Sequence, residues 1–172
     1  LLFGAHTRKK WRRGRPDVAG VVDALNRDFT ASAPNQRWVA DITEFATGDG
    51  KLYLAAVRDL FHHGIVGWDT AARQDSILVV NALTMALTRT GHPADVVHHS
   101  DKGSQYTSLD FATNAGNTNV QLSFGSTGDA YDNAAMETFW ARHAPPLAES
   151  LELLENDRID LVAHGFRQFG WK

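Results

Sequence analysis

Residues 37–68 read RWVADITEFATGDGKLYLAAVRDLFHHGIVGW, and their pattern sets the fold. Residues 37–45 have the composition of a strand, and Gly48, Asp49 and Gly50 supply a turn. Residues 52–59 are a near-continuous apolar run, as expected of a strand buried on both faces. His62, His63 and Gly64 turn the chain again into a third strand over residues 65–68. Consecutive strands joined by such short turns form an antiparallel meander.

Beyond the meander the period changes. Val79, Leu83, Ala86 and Leu87 fall on one helical face, Asp75 or Ser76 can cap its start, and Gly91 and Pro93 stop it, which predicts a helix over 76–90. Residues 96–99 form a short apolar strand ending at Ser100 and Asp101, and the helical crossover before it makes that strand a parallel neighbour. Thr107, three residues before Asp110, offers a capping box for a helix through Ala115. Val120, Leu122 and Phe124 alternate as a fifth strand, GSTGD at 125–129 is a loop, and a helix is predicted from Asp132 through Trp140. The expected fold is α/β: a mixed five-stranded sheet, an antiparallel meander plus two parallel strands, flanked by helices.

Upstream, Val18, Val21, Val22, Leu25 and Phe29 recur at helical spacing and predict a short helix over 17–29, followed by the linker ASAPNQ at 31–36. The expected organisation is therefore a basic arm, helix and linker over 1–36, a core over 37–144 and a tail over 145–172. A chain of 172 residues suits one core. It is 43% hydrophobic and 22% charged, as a globular domain is, and no apolar run approaches the roughly 20 residues of a membrane-spanning helix. With no cysteine, disulfides and thiolate metal sites are excluded, so any metal must be held by oxygen or histidine; this suits a reducing cytoplasm. A first residue of Leu1 suggests that the sequence begins inside a longer reading frame. The net charge of −3 hides an asymmetry: residues 1–15 hold six of the 17 basic residues and no acid. Such an arm can meet a phosphate backbone, and it also suits a solvated remnant of an upstream domain.

Three acids stand out within the predicted core. Asp41 lies in the first strand, Asp101 at the carboxyl end of a parallel strand where open α/β sheets place ligands, and Glu137 on the last helix. Asp101 and Glu137 are separated by 35 residues, and Asp41 lies 60 positions before Asp101. Converging carboxylates usually share a divalent cation. The three are expected to meet in one negative pocket and to hold two Mg²⁺ or Mn²⁺ ions for in-line phosphoryl transfer at a phosphodiester, Asp41 bridging both, Asp101 on the ion that activates the nucleophile and Glu137 on the other. His98 and His99 suit packing or hydrogen-bonding support better than ligation, with His99 behind the metal ligands. Lys102, Gln105 and Tyr106, in the loop after Asp101, present a cation, an amide and an aromatic ring that could contact DNA. Asn133, one helical turn before Glu137, and Arg142, beyond it, are further DNA-contact candidates. Trp38, Trp68 and Trp140 are read as core, and Asp59 as structural.

The blocks NRDFTASAPNQRWVADITEF (26–45), LYLAAVRDLFHHGIVGW (52–68), HHSDKGSQYTS (98–108) and YDNAAMETFW (131–140), in that order, resemble the catalytic core of bacterial insertion-sequence transposases, which share the ribonuclease-H-like fold of retroviral integrases. The resemblance implies metal-dependent cleavage and strand transfer of transposon DNA ends, with Asp41, Asp101 and Glu137 in the family's D,D-35-E positions. It also implies action on DNA as a homo-oligomer, in the bacterial cytoplasm near the nucleoid and away from membranes. A related ribonuclease-H-like metal nuclease, or a non-catalytic remnant that binds DNA or a partner, are the alternatives. The resemblance stops after Trp140. Pro145 and Pro146 are expected to end the helix, Ala144 stands where the family usually has Lys, and residues 147–161 carry five acids against one Arg158, a poor partner for phosphate.

Overall fold

The computed structural model describes residues 20–47, 50–125 and 136–143. Within them the chain runs β1 (Arg37–Thr47), β2 (Gly50–Asp59), β3 (Ile65–Ala71), α1 (Ser76–Thr90), β4 (Val97–Ser100), α2 (Leu109–Asn117) and β5 (Gln121–Phe124), and residues 136–143 are helical. The sheet order is β3-β2-β1-β4-β5. β1 pairs antiparallel with β2, and β2 with β3; β4 lies parallel to β1, and β5 parallel to β4. This is the mixed five-stranded sheet that the sequence predicts, flanked by helices.

Alternation along the strands divides the core in two. Trp38, Ala40, Ala55 and Val57 face one way, into a cluster with Leu78, Leu83 and Leu87 of α1 and Phe111 of α2. Val39, Phe45, Leu54 and Ala56 face the other, into a cluster with Met136, Phe139 and Trp140. The apolar run of β2 is thus covered on both sides. Helix α1 spans the predicted residues: the Asp75 carboxylate accepts from Leu78 N, and Gly91 closes the end at φ 77°. It lies close on the sheet because Gly67 of β3 has no side chain. A Cβ there would collide with Ala82 O and stand 2.5 Å from Ala86 N.

Two local expectations change. The helix predicted over 17–29 is absent from its described part, residues 20–29. The Asp23 carboxylate accepts from Leu25 N and Asn26 N, Asn26 and Arg27 take left-handed conformations at φ 45° and 64°, and Leu25 is drawn 2% exposed into the second cluster. Side-chain capture of the backbone and tertiary burial win over a pattern that only imitates helical periodicity. Helix α2, in turn, is capped by Ser108, whose hydroxyl accepts from Phe111 N; the Thr107 hydroxyl donates instead to Gly103 O. The predicted helix start at Asp132 and the ends at Pro145 and Pro146 lie outside the described residues.

Candidate metal and nucleic-acid site

The sheet register places the two strand acids. Val39 of β1 is paired with His99 of the parallel β4; Asp41 lies two residues further along β1, and Asp101 two residues further on, just past the end of β4. Adjacent strands are about 4.8 Å apart. Burial first, and then the charges of Asp41 and Asp101, hold the Tyr106 phenol well above its ordinary pKa. Both carboxylates therefore act on one hydroxyl. That hydroxyl is buried and has no hydrogen-bond partner among the described residues.

Each acid is held by a specific donor. Asp101 is exposed just past the end of β4, and its Oδ1 accepts from Gly103 N at 3.0 Å, in a loop pinned where Thr107 N donates to Gly103 O. A Cβ on Gly103 would stand 2.9 Å from Asp101 Oδ1 and 3.0 Å from Gln105 Oε1, so only glycine fits between them undisturbed. Asp41, half-buried, accepts from Trp140 Nε1 at 3.0 Å through Oδ2. Glu137 is exposed on the same helix as Trp140, three residues earlier, which places it on the flank of the docked face. Among the described residues, no three His, Asp or Glu side chains are gathered closely enough to hold a metal ion. The expectation of one shared pocket of Asp41, Asp101 and Glu137 is therefore carried forward as a proposal: the register brings the backbones of Asp41 and Asp101 to neighbouring places, and Glu137 is not gathered with them in a group of three. At 4 Å, two carboxylates repel by about 4 kcal/mol at a surface-like dielectric, so a closed cage of three calls for compensating positive charge.

The remaining candidates divide by exposure. Lys102 is exposed in the loop after Asp101. Gln105 is half-buried, and its amide donates to Gln74 O at 3.2 Å, tying that loop to the entrance of α1. Tyr106 is 3% exposed and packs edge-on against Phe111 at 5.4 Å, so its ring is core and not available to a DNA base in this conformation. The ring is turned inward onto His98 and Phe111, in the first core cluster. His99 is also buried; its Nδ1 lies 2.8 Å from Ser123 Oγ and 3.6 Å from Asp23 Oδ1. Since Ser123 Oγ also accepts from Ala24 N, this group ties residues 23 and 24 to β4 and β5. His98 faces the other core between Tyr106 and Phe111, both ring nitrogens buried without a hydrogen-bond partner among the described residues; burial and then His99 lower its pKa to about 3. Asp59, fully buried, accepts from Asn35 N and His62 N and holds the β2–β3 turn. Arg142 is exposed, and Asn133 lies outside the described residues.

Several participants escape sequence reasoning. Arg58 of β2 lies 5.4 Å over the Phe139 ring, and its pKa is lowered by burial and then by Arg142, which places two guanidinium groups at one corner of the 136–143 helix. Trp140 reads as core from sequence, and it is 8% exposed, but its indole N–H reaches a residue 99 positions away. Gly103 carries a local signal, a glycine two residues after a strand-end acid; Ser123 and Asp23 carry none.

The sheet order, with β1 antiparallel to β2 and parallel to β4, and β5 parallel to β4, defines a ribonuclease-H-like core of the kind found in integrases. Residues 31–130 match the integrase core domain family, rve, and the chain belongs to that family. Transposase InsF for insertion sequence IS3A of Escherichia coli (strain K12) is 42% identical over 116 residues, covering 67% of this chain and 40% of that protein. An uncharacterized 31 kDa protein of insertion element IS600 from Shigella sonnei is 43% identical over 116 residues, covering 67% of this chain and 43% of that protein. The chain thus spans less than half the length of these relatives. In fold it is similar to a chain of the simian T-cell lymphotropic virus intasome in complex with PP2A regulatory subunit B56 gamma, with a TM-score of 0.70 at 18% identity over 80% of this chain and 49% of that one. It is also similar to the HTLV-2 integrase catalytic core domain in complex with magnesium (dimeric form), with a TM-score of 0.64 at 17% identity over 78% of this chain and 86% of that one.

Proposed function

We propose that this chain is a transposase catalytic core, cleaving and joining transposon DNA ends by divalent-metal-dependent phosphodiester chemistry. The observation that supports the reading is the β1–β4 register of an integrase-family sheet, which sets Asp41 of β1 beside the end of β4 where Asp101 follows, with the Glu137 helix tied to Asp41 through Trp140. The donor set fits a hard cation, because the candidate ligands are all carboxylates and both nearby histidines are buried. In this reading Asp41, Asp101 and Glu137 hold Mg²⁺ or Mn²⁺, two ions when DNA is bound. Ions bound there supply activation of an attacking oxygen and neutralisation of charge on the leaving oxygen.

The chain's own residues supply orientation. Gly103 N–H steadies Asp101, and Tyr106 packs behind the loop that carries it. Lys102 and Arg142, both exposed, are suited to the phosphate backbone, which positions DNA without reading its sequence. Gln105 secures the loop, His99 supports β4, and Asn133 remains a DNA-contact candidate by its place in the sequence. The relatives named as transposases favour transposition over a stand-alone nuclease. The active species is then a homo-oligomer on bacterial DNA in the cytoplasm. The acidic residues of the 145–172 tail offer phosphate little, so the chain alone is expected to join ends weakly.

The test is incubation of a labelled transposon end with the wild-type chain and Asp101→Asn, in Mg²⁺ and in EDTA. Cleaved and joined products are expected from the wild type in Mg²⁺ only. Equal cleavage by Asp101→Asn would refute the site. Absence of product from the wild type beside an active full-length relative would make the chain a non-catalytic remnant.

A further inference from the structure

We infer that Trp140 is a positioning residue for metal binding: its indole N–H fixes the Asp41 carboxylate and couples that carboxylate to the helix that carries Glu137. The inference rests on the metal-binding reading above. The contact is 3.0 Å long and joins the middle of β1 to the 136–143 helix. Its donor is rigidly placed. Trp140 is 8% exposed and packs edge-on against Phe139 at 4.9 Å, while Phe139 lies beneath the Arg58 guanidinium. Its acceptor, the Asp41 carboxylate, is half-buried.

A carboxylate has about four lone-pair sites, so one N–H bond can set its rotamer and leave capacity for a cation. Outer hydrogen bonds of this kind orient metal ligands, and their loss typically costs about 10–100-fold in metal affinity. Here the donor has a second consequence. Because Glu137 precedes Trp140 by three residues on the same helix, any force that holds the indole on Asp41 also fixes the turn that carries Glu137 relative to β1. The apolar packing of Met136, Phe139 and Trp140 docks the helix, and the N–H adds the register.

The experiment is Mn²⁺ titration of the whole chain by calorimetry, comparing wild type with Trp140→Phe, which keeps an aromatic ring and removes the donor. A roughly 10–100-fold weaker Kd is expected, with cleavage recovering at high Mn²⁺ and the metal-free Tm little changed. An unchanged Kd in a folded variant overturns the inference and leaves the metal reading intact. A wild type that binds no Mn²⁺ overturns the metal reading and the inference together. If Trp140→Phe does not fold, the assigned Trp140 indole N–H resonance of the wild type decides. A saturable shift with Mg²⁺ that tracks binding supports the coupling, and an unmoved resonance overturns it.

Discussion

Gly103→Ala separates the architecture of the site from that of the fold. The added Cβ would lie 2.9 Å from Asp101 Oδ1, where ordinary contact begins at 3.4 Å. The carboxylate must therefore retreat by about 0.5 Å, or the loop must open by as much. A misplacement of 1 Å costs on the order of 100-fold in rate, so about tenfold is expected here. Stability should barely move. The two atoms met are ends of polar side chains that can swing, and Gly103 is not in the left-handed region, so alanine meets no backbone strain there. A change within about 0.5 kcal/mol is expected. Single-turnover cleavage of a labelled DNA end at saturating DNA reads the first quantity, and urea unfolding the second. A wild-type cleavage rate in the variant would show that the position of Asp101 is not what the glycine protects. A large loss of stability would make Gly103 a folding residue.

Gly67→Ala should show the opposite balance, because its Cβ would strike the backbone of α1 at Ala82 and Ala86. The expected loss is about 3 kcal/mol in chemical denaturation, and a loss below about 1 would mean that α1 can lift off the sheet at little cost. His98 contributes to acid sensitivity: its pKa of about 3 lies below the ordinary 6.5, so the unfolded chain binds more protons between these values and stability falls as pH drops below 6.5. About 2 kcal/mol should be lost between pH 6.5 and pH 5, and His98→Leu should remove that share; an identical pH slope in the variant would contradict the assignment. Deleting residues 1–19, which carry six basic residues, should reduce the slope of log DNA affinity against log salt by up to about 5, whereas Arg142→Ala should reduce it by about 1. An unaltered slope after the deletion would move DNA binding onto the core.

Much of this fold was legible because its elements announce themselves locally. Helix α1 has a capping Asp75, an apolar face and a terminating Gly91, and all three signals act within its own residues. The meander was readable from alternation and turn glycines. Failures arose where distant contacts decide. Leu25 sits at helical spacing, yet it is claimed by the second core cluster while Asp23 holds the backbone in a turn. Tyr106 reads as a loop aromatic until the structure shows it packed on His98 and Phe111. At the site, Asp41 and Asp101 could be singled out because acids in apolar, strand-like surroundings are unusual. Their alignment depends on the β1–β4 register, which the sequence implies only through the crossover rule. The Trp140–Asp41 bond was not legible at all: a tryptophan in an apolar helix face is expected in the core, and nothing local reveals that its N–H points at an acid.

The central claim is that Asp41 and Asp101 are ligands of a shared cation. Anomalous diffraction from crystals of the whole chain grown with Mn²⁺ tests it most directly. A manganese peak between the two carboxylates, lost in Asp101→Asn crystals grown in the same way, is the predicted result. Manganese bound only elsewhere, or retained unchanged between these strands in Asp101→Asn, would contradict the account.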